Sequence, residues 1–400
     1  MTKVIKKDGT LEEFDFNKIK KAVLKSAARV PVKITDKQFD SLKQIIEGKI
    51  TNGKITVSEM HDIVERSLLQ IDNEVHKEYM SFRDYKKRFV HMLDNVIKNS
   101  KRIIYTGDKE NANKNSTLVS TKKGLVLTEL AKSIMSEYEL PKDIALAHKN
   151  GDLYIHDEGD RFFDSINCCL FDMASLLDNG FRLNGVNYTE PTSAESFMRV
   201  FSDIVLEASS QEYGGFTVPE IDKVGAKYVK MALDKSIKYY TKELDGIVPP
   251  EKIIDLARNY VERALDQGFQ AVETRLNTIS NSNTQTPFVT FTFGLDTSEE
   301  GRMISKAILE NRIKGIGRQR ITPVFPKLVF LHRNEINGVE GSPNYDLYLK
   351  SIECMSTRMY PDMLSLNHGY LGDIYDKYGL AISPMGKRIL SPCKTLLTVA

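Results

Sequence analysis

Two short, almost wholly apolar runs constrain this chain more than any other feature. Phe288-Val289-Thr290-Phe291-Thr292-Phe293 and Pro326-Lys327-Leu328-Val329-Phe330-Leu331 are rich in β-branched and aromatic residues and too short for helices. A strand that is apolar on both faces must be covered on both faces, which is the habit of a parallel sheet flanked by helices. The sequence past Gly124 supplies the cover. Helical spacing of apolar residues falls at about 125–139, 141–150, 192–212, 219–243, 250–267 and 299–315, and Asp152-Leu153-Tyr154-Ile155-His156 reads as a further strand. Strands separated by long helices predict an α/β fold. No internal repeat is present at a solenoid period.

The first 95 residues read as a separate module. Val4-Ile5-Lys6-Lys7-Asp8-Gly9-Thr10 and Glu12-Glu13-Phe14-Asp15-Phe16 predict a β-hairpin that turns at Asp8-Gly9. A first helix follows, with Ile19, Ala22, Val23, Ala27 and Val30 on one face, Asp15 or Asn17 as its N-cap and Pro31 as its stop. A second helix runs over 36–48, and Asn52-Gly53 makes a turn. A third starts at the capping signal Thr56-Val57-Ser58-Glu59, and a fourth covers 73–93. Residues 96–123, polar and with little apolar periodicity, are expected to form a linker of solvated charge.

Composition excludes several classes. The 400 residues carry 56 Lys and Arg against 54 Asp and Glu, a net charge of +2, so the chain lacks the cationic excess of a general nucleic-acid binder. Hydrophobic residues at 41% and charged residues at 28% give an ordinary globular balance. No apolar run is long enough to span a bilayer, and residues 1–7 lack the apolar core of an export signal, so a cytoplasmic protein with no membrane partner is expected. The four cysteines are Cys168, Cys169, Cys354 and Cys393. None shares a CxxC spacing, which argues against both a closed zinc site and a disulfide framework.

Two constellations could carry chemistry. Lys6 and Lys7 precede a glycine turn, and Lys18, Lys20 and Lys21 open the next helix. Lysines gathered at a turn and a helix N-terminus suit a polyphosphate, and His61 lies on a helix that could face the same pocket. The plainer reading is an exposed basic face. The second constellation is Ser165-Ile166-Asn167-Cys168-Cys169-Leu170, where a cysteine between apolar residues is ordinarily inert core.

Both segments resemble known families. Val4 to Gly9, Glu12, Phe16, Lys18-Ile19 and Ala22-Val23, together with Val57 to Glu65 and Tyr79…Phe82-Arg83-Asp84-Tyr85-Lys86, resemble the ATP-cone. That is the nucleotide-sensing module of ribonucleotide reductases and of their transcriptional repressor. The resemblance implies ATP or dATP as allosteric effector, held by Lys6, Lys7, Glu12, Lys18 and His61. At Lys7 the family often has Arg.

Farther on, Ala145 to Asp157, Asn167-Cys168, Leu177-Asp178-Asn179-Gly180-Phe181, Ser210-Gln211-Glu212-Tyr213-Gly214-Gly215 and Ser282 to Thr290 resemble, in order, the anaerobic (class III) ribonucleoside-triphosphate reductases. Pro326 to Phe330 matches a further barrel strand. The resemblance implies a cone over 1–95, a linker over 96–123, and over 124–400 the N-terminal part of a glycyl-radical-type α/β barrel, ten-stranded in the family. It also implies the chemistry. A glycyl radical, installed by an iron–sulfur activase that uses S-adenosylmethionine, generates a thiyl radical, and the thiyl takes the ribose 3′ hydrogen. Cys168 matches the second cysteine, which faces the substrate from the other side. Formate or a dithiol supplies electrons. The family also implies structural zinc and a homodimer with a second nucleotide site.

One position departs. Where the family places the thiyl cysteine in a Met-Gly-Cys-Arg setting, this sequence reads Met385-Gly386-Lys387-Arg388. Lysine cannot form a thiyl radical, and Cys393 lies six residues on. The resemblance weakens after Gly386, and the family's zinc cysteines and radical glycine have no counterpart before Ala400. A truncated or frameshifted reductase, inactive by itself, is therefore expected. A regulatory protein that uses only its cone is the alternative. Another glycyl-radical enzyme, such as a formate lyase, shares the barrel but gives no reason for a cone.

Overall fold

The computed structural model describes residues 3–6, 8–50, 53–108, 114–160, 168–183, 185–212, 214–383 and 390–391. It divides into two compact units, Met1–Lys101 with Ser133–Tyr154, and Arg102–Lys132 with Ile155–Ala400.

The first unit is built on a three-stranded sheet of order β2-β1-β3. Strands β1 (Lys3–Ile5) and β2 (Leu11–Glu13) form the expected antiparallel hairpin, with Val4 opposite Glu12. Strand β3 (Lys54–Thr56) lies parallel to β1 on the other side, with Ile5 opposite Thr56. Helices α1 (Phe16–Ala27), α2 (Asp36–Lys49), α3 (Val57–Ile71) and α4 (Asn73–Thr106) follow. Asp15 caps α1 by accepting from the Asn17 amide, and Thr56 with Glu59 closes a reciprocal capping box on α3. Val23, Leu42, Ile46, Val64, Leu68 and Val75 make the core, none more than 1% exposed.

Helix α4 corrects the expected linker. It runs to Thr106, through the polar stretch at 96–106, because no Gly or Pro interrupts the sequence between Asn73 and Gly107. Buried Met92 and Ile103, three turns apart, anchor one face. The helix ends at Gly107, which takes φ +75° while its N–H bonds to the Ile103 carbonyl. Helix α5 (Val119–Ile134) begins inside the same expected linker.

A π-helical turn over Met135–Glu139 leads to α6 (Lys142–Asn150). The strand expected at 152–156 does not form. The Asp152 amide instead bonds back to the Ala147 carbonyl at 2.9 Å, closing α6 over left-handed Gly151 in a Schellman-type turn.

The second unit holds a six-stranded sheet in which every pairing is parallel. In chain order come β4 (Cys169–Phe171), α7 (Met173–Asn179), a small hairpin of β5 (Phe181–Leu183) and β6 (Val186–Tyr188), α8 (Ala194–Ala208), β7 (Phe216–Val218), α9 (Ile221–Glu243), α10 (Pro250–Thr278), β8 (Val289–Phe293), α11 (Glu299–Lys314), β9 (Lys327–His332), α12 (Tyr345–Arg358), β10 (Asp362–Ser365), α13 (Gly369–Tyr378) and β11 (Leu390–Ser391).

The sheet order is β10-β9-β8-β7-β4-β11. From β4 to β10 each strand is added on the same side of the last. Right-handed crossovers that always step one way leave their helices on one face, which is barrel winding rather than the reversing order of a doubly wound sheet. The α/β expectation holds, and the strand set is that of a partial barrel.

Alternate residues of each strand define two faces. Phe171, Phe216, Phe291, Phe293, Leu328 and Phe330 face the helices in the main core. On the other side Val329 and Leu331 pack with Leu295, Leu366 and Ala381.

Candidate functional site

In the hairpin, Asp8 accepts from the Thr10 amide at 3.0 Å and from its hydroxyl at 2.6 Å, which fixes the turn. The Lys6 ammonium then lies 2.6 Å from Glu12, and Lys18 on α1 bonds the other oxygen of the same carboxylate. The hydrogen bond from Lys18, followed by that from Lys6, pulls Glu12 down to about 2, while Glu12 raises Lys6. Three of the expected effector residues are thus brought together by one carboxylate at the surface.

His61, on α3, has one described contact of its own. Its Nδ1 lies 2.7 Å from the hydroxyl of Tyr79 on α4, and burial pushes Tyr79 up to about 12. Beside it Arg83 bridges Asp62 at 2.8 Å and Glu65 at 2.6 Å. Lys7 lies outside the described residues.

The second site is on the sheet. Cys169 and Phe171 are both wholly buried in the helix-side core. The period-two alternation of a strand then places Cys168, which precedes β4 and is half-buried, with Leu170 on the opposite face. On that face Leu170 stands beside Thr217 of β7, and Thr217 beside Thr290 of β8. Thr217, Thr290 and Thr292 are each 0% exposed, so the floor of this face is sealed yet lined with hydroxyls. The Thr217 hydroxyl lies 2.7 Å from that of Ser383. Ser383 immediately precedes the segment that contains Met385-Gly386-Lys387-Arg388. That segment, Asn167 and Cys393 lie outside the described residues.

Other titratable groups surround this sheet. Cys169 donates from Sγ to Oε1 of Glu212 at 2.8 Å, and burial lifts Glu212 to about 7. Asp222, at the start of α9, accepts from the amides of Gly294 at 2.7 Å and Asp296 at 3.3 Å, yet burial still lifts it to about 6. Glu220 takes a left-handed conformation at φ +46° and accepts from the Tyr375 hydroxyl at 2.9 Å. Cys354 sits in the helix-side core, pushed by burial to about 12, and is chemically inert. Among the described residues no three His, Cys, Asp or Glu side chains gather to hold a metal, so the zinc implied by resemblance has no fitting site there. No helix among the described residues is long and apolar enough to cross a membrane.

Residues 110–392 match the family model described as anaerobic ribonucleoside-triphosphate reductase. The chain belongs to this family. Residues 2–88 match the ATP cone domain. The anaerobic ribonucleoside-triphosphate reductase of Haemophilus influenzae is 34% identical over 395 residues, covering 96% of this chain and 54% of that protein. That of Escherichia coli is 33% identical over 394 residues, with the same coverage of 96% and 54%. That of Enterobacteria phage T4 is 37% identical over 293 residues, or 72% of this chain and 46% of that protein. The chain therefore spans about half the length of the curated relatives it matches. A crystal structure of the Thermotoga maritima anaerobic ribonucleotide reductase with glycerol in the active site covers 72% of this chain and 51% of its own, at 16% identity and TM-score 0.48.

Glu212, Thr217, Asp222 and Glu220 received no role from the sequence. Glu212 carries a signal that was available. It is a carboxylate placed just before Gly214-Gly215 and the apolar Phe216-Thr217-Val218, and so it leads into a buried strand.

Proposed function

We propose that residues 1–400 supply the nucleotide-sensing cone, over 1–95, and the first strands of the barrel of an anaerobic ribonucleoside-triphosphate reductase, over 124–400. The substrates are ribonucleoside triphosphates, and the working assembly is a homodimer in the cytoplasm. One observation supports this most. The Thr217–Ser383 contact lands the chain that precedes Gly386-Lys387 on the sheet face where strand alternation puts Cys168. In the family's chemistry the substrate lies between those two elements, with Cys168 as the cysteine on its far side. Threonines buried along that face keep water out of the strand floor, which protects a radical from quenching. The radical-generating activase and the formate or dithiol reductant belong to this proposal as partners.

In the cone, Lys6, Lys7 and Lys18 meet the phosphates of ATP or dATP, Glu12 presents the lysines, and His61 borders the pocket. Each charge-assisted lysine–phosphate bond contributes about 1.5–3 kcal/mol, and 1.4 kcal/mol is tenfold in affinity. Calorimetric titration of ATP into the full chain is therefore expected to show about tenfold weaker binding for Lys6→Ala and for Lys18→Ala. Affinities equal to the parent chain would refute the assignment.

Lys387 favours the second reading, in which the cone alone functions. With lysine at the thiyl position, the purified chain plus activase forms no deoxynucleotide. Its detection by chromatography would overturn that reading and restore the enzyme.

A further inference from the structure

Cys168 is proposed above to face the substrate, but its neighbour carries the more unusual surroundings. Cys169 points the other way, into the helix-side core, and donates its Sγ–H to Glu212. Glu212 is 1% exposed. Its Oε1 takes the thiol at 2.8 Å, and its Oε2 is buried with no hydrogen-bond partner. No ion pair to Glu212 is found among the described residues. The nearby Asn283 amide bonds at 3.3 Å to the Glu212 backbone carbonyl, leaving the carboxyl alone.

A buried carboxyl with one weak donor and one orphaned oxygen is not built for stability. A core leucine at this place would cost the fold less. The pair also sits where it can be felt. Cys169 stands beside Phe216 in the β4–β7 ladder, and Glu212 opens the segment that becomes β7. Glu212 thus clamps the first residue of β4 from behind, and Cys168 is the next residue back along the same backbone.

We propose that Glu212 is a positioning residue for Cys168, acting through the Cys169 thiol, and that its hold on β4 changes when its carboxyl gains or loses a proton. When Glu212 is ionised, Cys169 donates a charge-assisted hydrogen bond to it. When Glu212 is protonated, the carboxyl is the better donor and the thiol sulfur becomes the acceptor, which is a weaker and longer bond. Each state holds the start of β4 differently, and the backbone passes the difference to Cys168. The lift of Glu212 toward neutrality by burial places that exchange in the range where the protein works. The proposal rests on Cys168 as a site residue, but its test does not require turnover.

The full chain is treated anaerobically with iodoacetamide across pH, and alkylation of Cys168 is followed by peptide mass spectrometry. The ratio of the Glu212→Gln rate to the parent rate is expected to change about tenfold across neutral pH, the scale of one unit of perturbation. Cys169→Ala should reproduce the Glu212→Gln profile, whereas Cys169→Ser, which keeps a donor, should retain the pH dependence of the parent. Infrared spectra of the parent chain should show a carboxylic acid band that titrates near neutral pH and is absent from Glu212→Gln. A constant rate ratio overturns the proposal. So does a titrating carboxyl band with no response at Cys168, which would make Glu212 a buried acid and nothing more. If Cys168→Ser binds a ribonucleoside triphosphate as tightly as the parent chain while the alkylation profile of chains that keep Cys168 still responds, the functional reading of Cys168 fails and the positioning role stands.

Discussion

The ion pair between Arg312 on α11 and Glu273 on α10 gives the sharpest test of what holds the barrel unit together. Arg312 Nε lies 2.9 Å from Glu273 Oε1, with side chains 0% and 5% exposed. Arg312 also donates from Nη2 to the Pro326 carbonyl at 2.6 Å, just ahead of β9, and its guanidinium lies 5.5 Å from the centre of the Tyr360 ring. One side chain therefore joins two helices to the start of a central strand. Arg312→Met fills most of the volume but strands Glu273 as a buried carboxyl without its partner. Arg358, the other cation that lowers Glu273, has its guanidinium committed to the Ile313 carbonyl. Breaking one side of such a pair costs about 3–5 kcal/mol, whereas replacing both partners by apolar residues is close to neutral. Arg312→Met should thus lower the melting temperature of the unit by roughly 10 °C, and Arg312→Met with Glu273→Leu should recover most of it. Thermal unfolding of the full chain followed by circular dichroism measures both, and urea unfolding gives the free energies. The sign with pH is also fixed. Burial already raises Glu273, and loss of Arg312 raises it further, so the penalty is small in acid and grows as pH rises through the folded value. A loss below about 1 kcal/mol, or a double variant whose cost is the sum of the singles, would refute the reasoning.

Two further outcomes follow from the same sheet. Asp222 is lifted from 3.8 to about 6 by burial, so its ionisation costs the fold about 3 kcal/mol, a penalty absent below pH 3.8 and complete above about 6. Asp222→Asn should flatten the fall of melting temperature over that window, and an unchanged pH profile would count against it. Thr217→Val keeps the strand but removes the hydroxyl that meets Ser383. It should cost about 1–3 kcal/mol and expose the peptide bonds between Ala381 and Ser383 to limited proteolysis, an effect that an equally resistant variant would exclude.

Some of this architecture was legible because a single principle governed it. The runs at 288–293 and 326–331 are buried on both faces, and they became β8 and β9 within a residue at either end. Thr56 and Glu59 announced the start of α3 by chemistry that needs no tertiary partner. The failures arose where a local signal was outweighed. Residues 96–106 look like linker because their surface is polar, but a helix whose polar face is solvated needs only occasional buried residues, and Met92 and Ile103 suffice. Asp152 to His156 alternates like a strand, yet the glycine before it had already committed the chain to closing α6. Strands β4, β7 and β10, only three or four residues long, carry too few positions for periodicity to register, and their register with β8 and β9 alone gives them a face. The site divides in the same way. Lys6, Glu12 and Lys18 lie within thirteen consecutive residues and could be read together. Glu212 meets Cys169 across 43 positions and Ser383 meets Thr217 across 166, so those contacts exist only once the parallel sheet is wound. Because winding, not sequence proximity, assembles that face, a substitution that loosens β4 or β7 should disturb Cys168 before it disturbs the cone.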